Sequence, residues 1–190
     1  HLLQFVLITL FSSHLQAGNT IGVTNLRTEY KTNPTGIGVA SPRFSWEIQS
    51  SGKDIRQTAW QIRAAATEKE LKAGKNLLWD TGKVYSDKSI QIPYQGLPLN
   101  SRDKVYWQVR ITTNQGQTAW SKVASLEVGL LSSSDWIASW IQPDVPEDNS
   151  TAPPVPYMCK EFLLKSHIAK ARIYASAQGI YQLKLNGEQV

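Results

Sequence analysis

Between residues 21 and 131, apolar and polar side chains alternate in short runs separated by turn formers, the period-two signature of half-buried strands. Phe44, Trp46 and Ile48 form one inward set and Trp60, Ile62, Ala64 and Ala66 another. Ile90, Ile92 and Tyr94 follow, then Val105, Trp107, Val109 and Ile111, and last Leu126, Val128 and Leu130. With a first strand over residues 21–27 and a short one over 77–80, about seven strands arise in about 110 residues, the count of an immunoglobulin-like β-sandwich. Glycines and prolines such as Pro34, Gly36, Pro42, Gly82, Gly96 and Gly116 fall mostly where turns are needed. One helical insertion interrupts the pattern. Thr67-Glu68-Lys69-Glu70 reads as a capping box, with Leu71 and Ala73 facing the sandwich and Gly74 ending the turn.

Residues 132–156 change character. Ser132-Ser133-Ser134-Asp135 suits a cap for a helical turn carrying Trp136 and Ile137. The Pro-, Asp- and Glu-rich stretch over 143–156 has no periodicity and reads as a domain junction. Strands resume over 158–164, and alternation returns at Ala171, Ile173, Ala175 and Ala177 and again at Tyr181, Leu183 and Leu185. Asn186-Gly187 is a strong type I′ turn signal because both central residues need φ > 0. Only Glu188, Gln189 and Val190 follow it, so the expectation is a hairpin cut off after its turn, its partner strand missing.

Composition narrows the function classes. At 190 residues and 41% hydrophobic, the chain has room for one full domain and part of another. The formal charge of +5 comes from 20 Lys and Arg against 15 Asp and Glu, spread without a run or a basic stripe, so nucleic acid is not an expected partner. Cys159 is the only cysteine and reads as a small buried hydrophobe rather than a thiol nucleophile. The histidines, His1, His14 and His167, have no metal-ligand spacing, and neither metal nor cofactor is expected. Residues 2–11 are an apolar run too short to span a bilayer, followed by small residues up to Ala17-Gly18. That is the pattern of a partial secretory signal over residues 1–17, with a buried strand as the alternative. An exported chain without internal disulfides suits a bacterial periplasm or cell exterior, with no membrane association after signal removal. Asn149-Ser150-Thr151 is a formal glycosylation acceptor, meaningful only in a eukaryotic secretory route.

No nucleophile motif or phosphate loop is present in the sequence. Glycosidic hydrolysis needs two carboxyl groups flanking one bond. The candidates Asp80, Asp87, Asp103, Asp135, Asp144, Glu147 and Asp148 all fall where turn forming or solvation explains them. No catalytic residue is assigned, and substrate-binding residues stay open. The seven tryptophans raise a sugar-stacking surface as a possibility. Trp46, Trp60 and Trp107 have the inward phase of core residues, whereas Trp79, Trp120, Trp136 and Trp140 are less constrained. Trp136 and Trp140 suit packing between domains, and Trp120 beside Arg110 would make a structural cation–π contact.

Several segments resemble the fibronectin type III variety of sandwich: Pro42-Arg43-Phe44-Ser45-Trp46, Tyr106-Trp107-Gln108-Val109-Arg110 and Gly116-Gln117-Thr118-Ala119-Trp120-Ser121. Val105 takes the inward place where that pattern carries a tyrosine, with Tyr106 outward, so its usual tyrosine-corner hydrogen bond is not expected. Further segments are Asn25-Leu26-Arg27-Thr28-Glu29-Tyr30 with Asn33-Pro34 and Gly36, Leu78-Trp79-Asp80-Thr81-Gly82-Lys83-Val84, Trp136 through Trp140-Ile141, and Ala177-Gln178-Gly179-Ile180-Tyr181 with Leu185-Asn186-Gly187. In this order the set resembles the N-terminal region of bacterial α-L-rhamnosidases of glycoside hydrolase family 78. The resemblance implies an all-β chain: a signal over 1–17, a fibronectin type III-like sandwich over 18–131, a junction over 132–156, and the truncated start of a second, jelly-roll-like sandwich over 157–190. It also implies an inverting hydrolase of terminal α-L-rhamnose whose acid and base lie in downstream domains. Carbohydrate would be met through those domains, against which this region packs. The competing reading is a non-enzymatic carbohydrate-binding or adhesion module.

Overall fold

The computed structural model describes residues 20–144, 155–164, 167–168 and 170–190. The expected signal over 1–17 and the carboxylates Glu147 and Asp148 lie outside the described residues. The chain divides into two units between Ala138 and Ser139. No described helix is long and apolar enough to cross a membrane.

In the first unit, alternation produces the sheets directly, because residues two apart on a strand share a face. Strands β1 (Ile21–Thr28), β2 (Arg43–Ser50) and β5 (Ile92–Pro93) form a three-stranded sheet in the order β1-β2-β5. A five-stranded sheet joins β4 (Leu77–Asp80), β3 (Gln57–Ala65), β6 (Lys104–Thr113) and β7 (Gly116–Gln117), with β8 (Ala124–Glu127) also paired to β6. All described ladders are antiparallel. The seven expected strands are present, and β7 is an additional two-residue strand.

Inward residues of both sheets fill one core, with Phe44, Trp46, Ile62, Trp107, Val109, Ile111 and Leu126 essentially inaccessible to solvent. Phe44 lies at its centre, 4.5 Å from the Trp107 ring, stacked on Trp79 at 5.9 Å and edge-on to Tyr94 at 6.3 Å. Trp46 packs edge-on against Trp60 at 5.8 Å and donates its indole N–H to Gln57 Oε1 at 3.0 Å. Gln57 is buried but satisfied, because its amide donates to the carbonyls of Ser86 and Lys88.

Three inward assignments fail for local reasons. Ile90 is 64% exposed because Gln91, at φ 58°, breaks the alternation before β5; Ile92 and Tyr94 keep the inward phase. Ala66 is exposed because β3 ends at Ala65 and the chain turns into helix α1 (Glu68–Ala73). Ala73 is exposed too, leaving Leu71 as the helix's buried residue. The helix is otherwise as read: the Thr67 side chain accepts from the Glu70 amide, and Gly74 closes the last turn in the left-handed region at φ 64°.

The turn residues at the front of the unit hold it together. Glu29 and Tyr30 both turn at positive φ, and the Glu29 carboxylate is gripped by the Arg43 guanidinium and the Arg43 amide, the latter at 2.7 Å. Asn33 Oδ1 accepts from the Ser125 amide at 2.8 Å, tying this turn to β8. Tyr106 is half-buried beside Lys104, and Val105 is buried, as the phase requires. A comparable tie is made elsewhere, since the Tyr94 hydroxyl donates to the Leu97 carbonyl at 2.8 Å.

The second unit departs from expectation in both directions. The partner strand after the turn is present: β9 (Lys184–Leu185) pairs with β10 (Glu188–Gln189), and the Val190 amide donates to the Leu183 carbonyl at 3.1 Å. Asn186 and Gly187 have φ 50° and 87°, as a type I′ turn requires. The strands expected over 158–164 and 171–177 have no ladder partner among the described residues; Leu163 is 93% exposed, and Cys159, expected to be buried, is exposed for the same reason. Alternation creates a strand only where a neighbour takes up its backbone groups and a second layer covers its apolar face.

Candidate functional site

Two surfaces of the first unit bring together polar and aromatic side chains. The outer face of the five-stranded sheet is set by register: Gln61 lies opposite Arg110, and Arg63 opposite Gln108. Arg110 donates twice to Gln61 Oε1, at 3.0 and 2.7 Å, and the Gln61 amide donates to Asp80 Oδ1 at 2.6 Å. Arg63 Nε donates to Asp80 Oδ2 at 2.9 Å. Trp120 lies against both guanidiniums, with centroid distances of 4.8 Å to Arg63 and 4.6 Å to Arg110. The expected Trp120–Arg110 contact is therefore present, doubled by Arg63. Its segment runs along β6, with Thr118 exchanging hydrogen bonds with Ile111 and Ser121 with Val109. These bonds tie β3, β4 and β6 together across the outer face, so the cluster fastens the sheet.

The second surface is a cleft of about 480 Å³ at the open edge of the sandwich. It exists because β5 has only two residues, one of them Pro93, and no strand bridges it to β4. Trp60, Trp79, Val84, Ile92 and Pro93 supply apolar walls, while Asp80, Thr81 and Gln95 supply polar groups. The 94–97 segment closes one end, where the Leu97 amide donates to the Leu78 carbonyl at 2.8 Å. Trp79 is half-buried and stands edge-on to Tyr94 at 5.2 Å. Trp60 carries a buried indole N–H with no acceptor.

Four carboxylates of the first unit, Asp80, Asp135, Glu29 and Glu70, are shifted in one direction. Burial opposes ionisation of Asp80, but hydrogen bonds from Gln61 and the Gly82 amide, with the charge and hydrogen bond of Arg63, outweigh it and hold the carboxyl below its ordinary 3.8. Asp135 is held down by the Ser101 hydroxyl and the Ser132 amide, Glu29 by Arg43, and Glu70 by Thr67 and Asn76. A glycosidase general acid needs the opposite shift, toward a proton retained near neutral pH. These four are anions serving as anchors. Asp103 accepts from the Asn100 amide at 2.7 Å as a turn former, and Asp87 and Asp144 are exposed.

Two expectations follow. Asp80→Ala leaves the buried Gln61 amide and Arg63 without their acceptor and should cost about 1–3 kcal/mol, read as a lower urea midpoint at unchanged slope. Because the anchors' pKa values lie below their unfolded ones, their stabilisation is complete above the unfolded values and is lost as pH falls through the folded ones. The urea midpoint should thus hold down to about pH 5 and fall steadily below about pH 4. A midpoint unchanged at about pH 3 would contradict this electrostatic assignment.

Of the remaining tryptophans, Trp46, Trp60 and Trp107 are core, and Trp79 spans core and cleft. Ser132 caps the 3-10 turn Ser133–Asp135 in a complete capping box, after which Trp136 and Ile137 are 40% and 96% exposed. In the second unit Trp140 and Ile141 are 68% and 73% exposed.

Fold and surfaces together define the first unit as an immunoglobulin-like β-sandwich whose ordered carboxylates are structural. The chain belongs to the family described as "Rha78A-like, N-terminal immunoglobulin domain", which matches residues 23–132. It is 39% identical over 166 residues to an α-L-rhamnosidase of Formosa agariphila, covering 83% of this chain and 18% of that protein. An α-L-rhamnosidase of an Alteromonas species is 35% identical over 165 residues, with the same shares covered. The crystal structure of Streptomyces avermitilis α-L-rhamnosidase complexed with L-rhamnose matches with a TM-score of 0.62 at 38% identity, over 65% of this chain and 12% of that one. The chain thus corresponds to the N-terminal region of α-L-rhamnosidases and spans about a fifth of the length of these relatives.

Proposed function

We propose that this chain is the non-catalytic N-terminal accessory region of an exported glycoside hydrolase that removes terminal α-L-rhamnose from glycans by inverting acid/base hydrolysis. The observation that carries the reading is the match along 83% of the chain to the N-terminal part of proteins named α-L-rhamnosidase. The acid and base would lie in the four-fifths of such a protein that this chain does not span. The anchored, ionised carboxylates of the first unit support a scaffolding role.

The scaffold's contact would include the exposed Trp136 and Ile137 at the end of the first unit, taken up by downstream domains of the same protein. Residues 157–190 would open a second, jelly-roll-like sandwich after the fibronectin type III-like one, its remaining strands supplied from farther along. That arrangement would give residues 158–164 and 171–177 their ladder partners. The apolar run over 2–11 ahead of Ala17-Gly18 supports export to the periplasm or cell exterior.

The test is the full-length protein on a panel of aryl glycosides. Aryl α-L-rhamnoside should be cleaved with release of β-L-rhamnose, the inverted anomer, detected by NMR before mutarotation. Cleavage of a different aryl glycoside, with none of the rhamnoside, would overturn the substrate. Release of the α-anomer would overturn the inverting mechanism.

A further inference from the structure

We propose that the edge cleft of the first unit is a non-catalytic sugar subsite, receiving the apolar face and methyl group of a terminal 6-deoxyhexose against Trp79. The choice of sugar rests on the rhamnoside reading above, whereas the cleft stands on its own geometry. Sugar rings present C–H faces that pack on indole, and ligand sites combine apolar walls with a few convergent polar groups. Trp79 is fixed before any ligand arrives, stacked on Phe44 at an interplanar angle of 29° and held edge-on by Tyr94 at 65°. Little ordering is then left to oppose binding.

The polar groups are few, and one of them, Asp80, is shared with the neighbouring face. Asp80 accepts from Gln61, Arg63 and the Gly82 amide, and a carboxylate with about four lone-pair sites retains room for a hydroxyl. Gln95 is exposed at the rim and offers both a donor and an acceptor. Val84, Ile92 and Pro93 favour a methyl over a hydroxymethyl group, whose hydroxyl would lose water without gaining a partner there. The volume of about 480 Å³ accommodates one sugar ring and part of its neighbour.

The experiment is a ¹H–¹⁵N titration of the 190-residue chain with L-rhamnose, following the tryptophan indole signals. L-mannose, differing only by the hydroxyl at carbon 6, is the comparison. Saturable movement of the Trp60 and Trp79 signals is expected, with a Kd of about 1–10 mM, and L-mannose should bind about tenfold more weakly. Gln95→Ala, at an exposed site, should weaken L-rhamnose binding about fivefold while leaving the rest of the spectrum in place. No saturable movement at about 100 mM sugar, or movement confined to Trp136 and Trp140, would overturn the subsite. Equal affinity for the two sugars would overturn the 6-deoxy assignment. Aryl α-L-rhamnoside cleavage by the full-length protein without cleft binding counts against the subsite alone. Cleft binding without such cleavage counts against the substrate reading alone.

Discussion

Trp107→Ala should lower the melting temperature of the chain by roughly 15 °C, the largest loss expected from any single truncation in it. Trp107 is wholly buried, lies 4.5 Å from Phe44 and sits mid-strand on β6, which pairs with β3, β7 and β8. Removing a buried Trp or Phe ring costs about 3–5 kcal/mol, since the cavity left behind closes only partly. That is a large share of the roughly 5–15 kcal/mol by which a domain is stable. The Trp107 indole N–H is buried without an acceptor, so Trp107→Phe removes an unmet donor along with volume. It should therefore cost far less, about 1–2 kcal/mol. Thermal unfolding followed by near-ultraviolet circular dichroism checks both, and equal losses for the two variants would show that packing volume is not what Trp107 contributes.

Gly96→Ala should be nearly as damaging although it adds only one methyl group. A Cβ at this position would stand 2.5 Å from the Leu78 carbonyl oxygen and 2.6 Å from both Trp79 Cβ and the Tyr94 hydroxyl. Backbone cannot yield as the end of a side chain can, so the 94–97 segment must lift from β4. The bond from the Leu97 amide to Leu78 and the one from the Tyr94 hydroxyl to Leu97 would go with it. Overpacking of this kind costs about 1–3 kcal/mol, and each lost hydrogen bond about 1 kcal/mol more. The urea midpoint should drop accordingly, and sugar binding at the cleft should be lost because Tyr94 no longer braces Trp79. By contrast, Gly38→Ala, where no atom lies within 4 Å of the added Cβ, should be nearly neutral. A Gly96→Ala variant as stable as the parent would show that the 94–97 segment does not pack on β4 this closely.

How far such features can be read beforehand depends on the range of the interaction that makes them. Phe44, Trp46, Trp107 and Ile111 declare themselves by alternation, a property of neighbours in sequence, and helix α1 does so through Thr67 and Gly74. The Asp80–Gln61–Arg63–Arg110–Trp120 cluster needs the β3–β6 register, which no local pattern states; with it, the outward phase of Arg63 and Gln61 would have placed them beside Trp120. The cleft depends on a strand being short. Ile90, Ile92 and Tyr94 look like one continuous run, and only the left-handed Gln91 with the following Pro93 cuts β5 to two residues. In the second unit the same alternation over 171–177 forms no ladder among the described residues, because pairing is decided by what lies alongside. The carboxylates show the converse: their anchoring roles at turns were legible, since Asp80 ahead of Thr81-Gly82 and Asp135 after three serines are local arrangements.

On the proposed reading, this region supports a rhamnoside hydrolase without taking part in its chemistry. The pH dependence of kcat for aryl α-L-rhamnoside cleavage by the full-length protein, with and without Asp80→Asn and Asp135→Asn together, tests it most directly. The account predicts a lower melting temperature for the doubly substituted protein, a kcat within about twofold, and both limbs of the pH profile in place. A fall in kcat of about a hundredfold or more, with loss of one limb in protein that remains folded, would contradict it.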